Sequence, residues 1–288
     1  MSGSQVQIEK QVQIEKDVVY ATHEGEALKG TLYRPAGAGP FPAIVALHGG
    51  GWRQASPTVY QNLGPWLAER GYLVFAPVYR SAKVGAPSYP KAVHDVRAAV
   101  QFVKGAGLGA DPARVALMGE SAGGHLAALV GLAGEEALFR DGQPKSDHSA
   151  LSSEVKAIIS IYGVFDLVAQ WKHDLSMRPA GQNIVELFLG TIPSKDRRLA
   201  FDASPMSYAI ERLNKPGVFL AWGTQDDVVD PAKQSVPFLE ALKVAGFWVR
   251  TAIVESAPHY WAGDPLAEEG SHSAFFAHRL LRFLKARL

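Results

Sequence analysis

The stretch "ALMGESAGGHLAAL" (116–129) contains the residues best suited to chemistry. An apolar run stops at Gly119, Ser121 follows two residues later, and Gly123 comes two residues after that. A G-x-S-x-G pattern between a buried strand and a helix is typical of a serine nucleophile held on a strained turn. A serine that caps the helix beside packing glycines is the alternative. The motif alone leaves both interpretations open.

A second glycine-rich stretch, "HGGGW" at 48–52, ends an earlier apolar run. Acyl transfer develops negative charge on a tetrahedral oxygen, and fixed backbone N–H groups stabilise that charge well. Gly50 and Gly51 can supply two such donors, with the amide of Ala122 as a third. The alternative is a plain glycine-rich turn after a strand. The glycine-rich stretch and the serine motif each follow an apolar run that predicts a buried strand, and the glycine-rich stretch comes first in the chain. This arrangement favours an oxyanion hole.

A neutral serine needs a histidine base, which an acid in turn orients. Six histidines follow the serine: His125, His148, His173, His259, His272 and His278. His259 follows the last predicted strand by a few residues, so we expect it to be the base. His125 lies close to Ser121 in sequence, but we expect it to make a structural contact on the helix.

The orienting acid is expected in the loop "AWGTQDDVVDP" (221–231), which offers Asp226, Asp227 and Asp230. Asp230 precedes a proline and suits the cap of the next helix. Asp226 and Asp227 are adjacent, and their spacing alone does not separate them.

The elements that must position these residues alternate along the chain. Apolar runs predict strands at 43–51, 72–79, 114–119, 155–163, 217–223 and 247–254, and periodicity predicts helices at 60–70, 91–104, 122–132, 232–245 and 271–288. The segments 12–21 and 27–35 alternate apolar and polar residues, which predicts two antiparallel edge strands. The whole pattern predicts an α/β fold with a mostly parallel sheet covered by helices on both faces.

Two segments interrupt this alternation. Residues 134–153 are polar and rich in Gly, Pro and Asp, whereas residues 164–204 mix aromatic residues with Pro and Gly. Long excursions in a compact domain are often lids or substrate walls. A surface insertion explains 134–153 as well as a lid does. We expect a single domain over residues 17–288, with a small cap built from these two insertions.

The N-terminal sequence contains the hexapeptide QVQIEK twice in succession, after "MSGS". This pattern is typical of a cloning artefact, so we expect residues 1–16 to be a cloning-derived or disordered extension. The segment has no apolar core of signal-peptide length, and no later segment is apolar enough to span a membrane. We therefore expect a cytoplasmic protein without stable membrane insertion.

Composition excludes several classes of function. The formal net charge of the 288 residues is +1, which gives no electrostatic support for binding nucleic acid. Cysteine is absent, which excludes disulfides, thiolate metal sites and a cysteine nucleophile. The stretch "GAGLGA" (105–110) fits a dinucleotide fingerprint, but it follows a helix and leads into a strand, so we interpret it as a loop. No histidine triplet has zinc spacing, and we expect no metal and no organic cofactor.

The stretches "HGGGW", "GESAGGHLA", "GTQDDVV" and "PHYW" together resemble the α/β-hydrolase superfamily, in particular hormone-sensitive-lipase-like esterases and bacterial feruloyl/acetyl-xylan esterase-like proteins. The resemblance extends from about Val18 to the C-terminus. It implies that Ser121 is the nucleophile and His259 the base, with Gly50, Gly51 and Ala122 as oxyanion donors. In related hydrolases the pattern G-T-x-D-x-x-V places the acid on its first aspartate, which favours Asp226.

Two departures refine the resemblance. Glu120 lies in the G-x-S-x-G turn, the nucleophile elbow, where many hormone-sensitive-lipase-like members have Asp. The early predicted strands leave no room for that family's large N-terminal helical cap. The chain is therefore more similar to the smaller feruloyl-esterase-like and kynurenine-formamidase-like branch, which often carries HGG-x-W.

These residues predict a serine carboxylic-ester hydrolase that forms an acyl-enzyme with small to medium esters, aromatic esters among the candidates. Six aromatic residues are expected in the substrate pocket: Trp52, Tyr79, Trp171, Phe188, Tyr260 and Trp261. For Trp52 and Tyr79, packing beneath the loops is an equal alternative. The expected partner is a small-molecule ester, and the sequence is compatible with a homodimer.

Two other functions remain open from the residues. An arylformamidase-type amide hydrolase would use the same mechanism, and comparing hydrolysis of p-nitrophenyl acetate with that of N-formylkynurenine separates it from an esterase. A catalytically silent binding protein on the same fold would not react with a fluorophosphonate probe.

Overall fold

The computed structural model describes residues 12–56, 58–177, 182–212, 215–268 and 270–288. Within them, eight strands form one sheet: β1 (Gln13–His23), β2 (Glu26–Arg34), β3 (Phe41–Leu47), β4 (Leu73–Pro77), β5 (Ala110–Glu120), β6 (Ala157–Ile161), β7 (Gly217–Gly223) and β8 (Val249–Val254). The order across the sheet is β1-β2-β4-β3-β5-β6-β7-β8. Strand β2 is antiparallel to both β1 and β4, and every other neighbouring pair is parallel.

Helices cover both faces of this sheet. The helices of the described residues are α1 (Leu63–Ala68), α2 (Lys91–Gly105), α3 (Ala122–Ala133), α4 (Ala137–Arg140), α5 (Leu167–Met177), α6 (Ile184–Leu189), α7 (Arg197–Asp202), α8 (Ser235–Val244) and α9 (His272–Arg287). Helices α2 and α3 share a core with Val45 and Leu47, whereas α1 and α9 share another with Ile44 and Ala46. Alternate residues of β3 thus face opposite helical layers, which is why the strand is apolar throughout.

The predicted α/β architecture is confirmed, with shifts at element boundaries. Strand β1 begins at Gln13, inside the segment expected to be an extension, because the second copy of the repeat pairs with β2 from Gln13 opposite Arg34. The rest of that predicted extension, residues 1–11, lies outside the described residues. Among the described residues, no helix is long and apolar enough to cross a membrane.

The two insertions occupy different places. Residues 134–153 connect α3 to β6 and pack against α2, where Arg97 donates to Ser153 Oγ at 3.0 Å and Gln101 donates to the carbonyl of Leu151 at 2.7 Å. Residues 164–204 follow β6 and carry α5, α6 and α7. Because the carboxyl ends of parallel strands share one edge of the sheet, this second insertion starts at the edge where β3, β5, β7 and β8 also end.

A buried ionic cluster joins the antiparallel edge to the parallel part of the sheet. The carboxylate of Asp95, in α2, accepts from the guanidinium of Arg80 at 2.8 Å and from Arg80 backbone N–H at 2.9 Å. The same carboxylate lies 2.8 Å from His23 Nδ1, at the end of β1. Asp95 and His23 are fully buried and Arg80 is nearly so.

We expect Asp95→Ala to lower the free energy of unfolding by about 3 kcal/mol or more, because it leaves the buried Arg80 guanidinium without this carboxylate. Urea unfolding measures the loss. The matched control is Asp141→Ala, which removes an exposed pair with Arg140 and should cost less than about 1 kcal/mol. Equal losses in the two variants would contradict the role given to the cluster.

Candidate active site

Ser121 occupies the sharp turn between β5 and α3. Its backbone has φ +53° and ψ −121°, a conformation that L-residues rarely adopt. A Cβ at Gly119 would collide with the carbonyl of Gly123, and a Cβ at Gly123 would collide with the carbonyls of Leu47 and His48. Ser121 makes no side-chain hydrogen bond to the first turn of α3. The helix-cap alternative is therefore wrong, because the hydroxyl faces another partner.

That partner is His259, in the loop after β8. Ser121 Oγ lies 3.0 Å from His259 Nε2, and His259 Nδ1 lies 2.7 Å from Asp226 Oδ2. The other oxygen of Asp226 accepts from the backbone N–H groups of Val228 and Val229, at 3.0 and 2.9 Å. The carboxylate thus holds the Nδ1–H tautomer of the imidazole, and Nε2 is left to face the serine.

The three candidate acids have separate environments. Asp226 is buried in the loop after β7, whereas the neighbouring Asp227 is exposed. The backbone carbonyl of Asp227 accepts a hydrogen bond from His173 Nε2 at 2.8 Å. Asp230 pairs with Lys233 at 2.9 Å and accepts from the N–H of Ala232. Adjacent side chains in this loop diverge, so a single aspartate reaches the imidazole.

The imidazole of His259 lies between two tyrosine rings. The ring centroids of Tyr162 and Tyr260 each lie 4.4 Å from that of His259. Tyr162 is buried under the site and Tyr260 is largely exposed on the solvent side. A Cβ at Gly223 would collide with the carbonyl of Ala257, so the loops after β7 and β8 approach each other at a glycine. This close approach brings the loop that carries Asp226 against the loop that carries His259.

The glycine-rich stretch after β3 forms a turn beside Ser121. Gly50 and Gly51 have φ of +95° and +60°, and the carbonyl of Gly50 accepts from the N–H groups of Arg53 and Gln54. In the described part of the chain, no backbone carbonyl accepts from the amides of Gly50, Gly51 or Ala122. Gly50, Gly51 and Ala122 line one cavity together with Ser121. Their three N–H groups are the sequence-predicted oxyanion donors.

Side chains behind this loop hold it in place. Tyr79 donates from its hydroxyl to the carbonyl of His48 at 2.8 Å, and the two rings stack with centroids 4.3 Å apart. The His48 Nδ1–H donates to the Gly49 carbonyl at 2.8 Å, and burial lowers the pKa of His48 to about 4. The Gly49 N–H donates to the buried carboxylate of Glu120, and desolvation raises the pKa of that carboxyl. Glu120 therefore links the glycine-rich loop after β3 to the turn that carries Ser121.

The cavity at Ser121 has a volume of about 240 Å³. Its lining comprises Gly50, Gly51, Trp52, Arg53, Gln54, Ser121, Ala122, Val164, Ile184, Val228, Val229 and Tyr260. Trp52 and Tyr260 were expected from the sequence, and the four aliphatic residues were not. Valine and isoleucine carry no sequence signal that separates a pocket wall from ordinary core.

Four of the six aromatic residues expected in the pocket lie elsewhere, because each is taken up by packing or hydrogen bonding. Tyr79 braces the glycine loop from behind, and Phe188 stacks beneath Trp52 with ring centroids 4.7 Å apart. Trp171 donates to Glu186 at 2.8 Å, and Trp261 is buried edge-on against Phe276.

The imidazole of His125 supports Trp52 in the cavity wall, and its two nitrogens bond to groups other than the Ser121 hydroxyl. Its Nδ1 accepts from Trp52 Nε1 at 3.1 Å, and its Nε2 lies 2.8 Å from the carbonyl of Ala203, to which it donates. Burial lowers the pKa of His125 to about 4, so the ring is neutral at physiological pH. Among the described residues there is no group of three or more His, Cys, Asp or Glu side chains that could hold a metal ion.

The chain has relatives among known proteins. The BD-FAE family matches residues 31–242, well over half of the chain. The "Probable carboxylic ester hydrolase LipM" of Mycobacterium tuberculosis is 28% identical over 209 residues, which cover 71% of this chain and 46% of the relative. "Esterase LipQ" of the same organism is 29% identical over 238 residues, which cover 80% of this chain and 53% of the relative. The chain thus spans about half the length of these curated relatives.

A solved structure matches nearly the whole chain. It is the propionate-bound form of the thermophilic esterase Est2 from Thermogutta terrifontis, with a TM-score of 0.73 and 26% identity. The match covers 96% of this chain and 94% of the esterase chain. The same esterase has also been solved phosphorylated by paraoxon.

The low pKa of His125 predicts a loss of stability in acid. Below pH 6.5 the His125 imidazole of the unfolded state binds a proton, whereas that of the folded state stays neutral until about pH 4. The free energy of unfolding therefore falls as the pH drops through this window. At about 1.4 kcal/mol per pKa unit, this histidine contributes at most about 3.5 kcal/mol to the loss. His125→Gln keeps an acceptor and a donor but takes up no proton, so we expect it to lose less stability than the wild type between pH 7 and 4.5.

The measurement is urea unfolding at both pH values. Exposed His278→Gln is the control and should keep the wild-type difference. An unchanged difference in His125→Gln would show that the ring is not the group that titrates.

Proposed function

The chain belongs to the BD-FAE family and has the α/β-hydrolase fold, and we propose that it is a serine carboxylic-ester hydrolase that uses Ser121, His259 and Asp226. The observation that carries the proposal is the continuous hydrogen-bonded path from Asp226 through His259 to Ser121 Oγ. It lies beside a cavity lined by Gly50, Gly51 and Ala122, whose amides donate to no backbone carbonyl of the described residues. The names of the relatives support it. Since the chain spans about half of the curated relatives, their activity is extended here as a proposal.

In the proposed acylation step, Ser121 Oγ bonds to the ester carbonyl carbon while His259 Nε2 takes the hydroxyl proton. Asp226 holds the imidazole and stabilises its charged form. The carbonyl oxygen becomes negative and accepts from the amides of Gly50, Gly51 and Ala122. The bond to the alcohol oxygen then breaks, and His259 returns its proton to the leaving alcohol.

Deacylation repeats these roles with water in place of the serine. His259 takes a proton from a water molecule as its oxygen bonds to the acyl carbon. The same amides hold the second tetrahedral oxygen. The bond to Ser121 Oγ breaks, the serine recovers its proton from His259, and the carboxylic acid is released.

The cavity favours a small ester. Its volume of about 240 Å³ is below the roughly 300–1,000 Å³ of sites that hold drug-sized ligands. Trp52, Val164 and Ile184 form part of an apolar wall that suits a short acyl group. Of the aromatic residues, only Trp52 and Tyr260 are placed to contact an aromatic ester from the described lining.

Ester cleavage is proposed ahead of amide cleavage because of the relatives. Both LipM and LipQ are named as ester hydrolases, and the Thermogutta terrifontis protein is named as an esterase. The triad itself is compatible with either bond. The proposed substrate class is therefore the small carboxylic ester.

We expect wild-type protein to react with a fluorophosphonate probe and Ser121→Ala to remain unlabelled, because the proposed nucleophile is removed. Hydrolysis of p-nitrophenyl acetate should fall by about 10⁴-fold or more in kcat. Ser88→Ala is the control, since Ser88 is another buried serine, whose Oγ has no partner among the described residues. It should keep full labelling. An unlabelled wild type, or a labelled Ser121→Ala, would overturn the enzyme proposal.

We expect Asp226→Asn to lower kcat for p-nitrophenyl acetate by about 10⁴-fold, because the amide no longer holds the imidazole in the right tautomer or stabilises its charge. The adjacent Asp227→Asn makes the same chemical change at an exposed carboxylate that does not reach His259. It should change kcat by less than about threefold, within the range of an ordinary surface substitution. The opposite order of the two losses would assign the acid to Asp227.

A further inference from the structure

A charged residue stands at the mouth of the cavity, directly after the oxyanion glycines. Arg53 and Gln54 both line the cavity, and both are exposed. Among the described residues of the lining, Arg53 alone carries a charge. The proposed chemistry does not use it.

Among the described residues, some arginines pair with a carboxylate and others, including Arg53 and Arg250, do not; of the unpaired arginines, Arg53 alone lines the cavity. Arg80, Arg97 and Arg114 each pair with a carboxylate within 4.0 Å. Arg53 forms no such pair with any residue that the structure describes. Its backbone is nevertheless held, because its N–H donates to the carbonyl of Gly50 at 3.2 Å. A guanidinium that makes no hydrogen bond or ion pair to another described residue, on a turn held by its backbone, is suited to bind a carboxylate in a two-pronged geometry.

The cavity has an apolar interior and a polar mouth. Trp52, Val164 and Val229 are buried, whereas Arg53 and Gln54 are open to solvent. In acyl transfer the acyl group stays on the serine while the alcohol must leave toward solvent. The interior therefore suits the acyl group, and the mouth suits the alcohol.

We propose that Arg53 binds a carboxylate on the alcohol portion of the ester, so that the preferred substrates are short-chain acyl esters of anionic alcohols. The inference rests on the proposed ester hydrolysis and adds the charge class of the leaving group. Gln54, next to Arg53, has a side-chain amide that can donate a further hydrogen bond to the same group.

The test compares two acetyl esters of almost equal shape, 4-acetoxybenzoate and 4-acetoxybenzamide. The first carries a carboxylate and the second a neutral amide. The quantity measured is kcat/KM for 4-acetoxybenzoate divided by kcat/KM for 4-acetoxybenzamide. In Arg53→Gln we expect this ratio to fall about tenfold, the size of a charge-assisted hydrogen bond in a partly desolvated site. Because the same ratio is compared between the wild type and the variant, the difference in intrinsic reactivity between the two esters cancels.

Two controls isolate the local contact from net charge. Arg250→Gln removes one positive charge from an exposed position on β8 and should leave the ratio within twofold of the wild type. Raising the salt concentration should lower the ratio in the wild type but not in Arg53→Gln, since screening acts on the ion pair.

The outcomes are distinct. A ratio in Arg53→Gln within twofold of the wild type, with the amide ester still hydrolysed, would overturn the role of Arg53 and leave the esterase proposal standing. A wild type inert toward both esters and toward p-nitrophenyl acetate would overturn the proposed function and this inference with it. Inertness toward the two test esters alone would overturn only the inference.

Discussion

The arrangement of the site depends on the close approach of two backbones at the ends of β3 and β5. These strands pair in parallel as far as Leu47 opposite Gly119, so the glycine loop and the serine turn leave the sheet side by side. The approach requires glycine at 123, where any Cβ would strike the carbonyls at the end of β3. The buried carboxylate of Glu120 then joins the two turns through the Gly49 amide. Ser121 and the amides of the glycine loop are therefore positioned by one steric constraint.

Asp226 and His259 approach Ser121 from the other side of β6. Asp226 lies in the loop after β7 and His259 in the loop after β8. The insertion at 164–204 contacts the loop after β7. From α5, Gln170 donates to the carbonyl of Val228 at 3.0 Å and His173 to that of Asp227 at 2.8 Å. Residues 164–204 thus contribute to the cavity wall through Val164 and Ile184 and also support the loop of Asp226. The insertion at 164–204 and the loop that carries Asp226 therefore pack together.

Aromatic residues near the predicted site were a poor guide to the lining of the pocket. Tyr79, Phe188 and Trp261 each lie near the site but are buried behind or beneath it. Large rings gain the most from leaving water, so a folded chain tends to place them in packing positions unless a cavity stays open beside them. Whether it does depends on neighbours from distant parts of the chain. The aliphatic wall went unnoticed for the same reason.

The sequence by itself determined the strand–helix alternation, the serine turn, the glycine loop and the histidine after the last strand. Each is a local pattern, since strained turns and buried strands restrict which residues can occupy them. The distinction between Asp226 and Asp227 came from family resemblance, because the residues alone left it open. Only the tertiary structure decided which side chains face the cavity, and which aspartate is turned inward to 2.7 Å from His259. Those outcomes depend on contacts between segments far apart in sequence, and no local pattern records them.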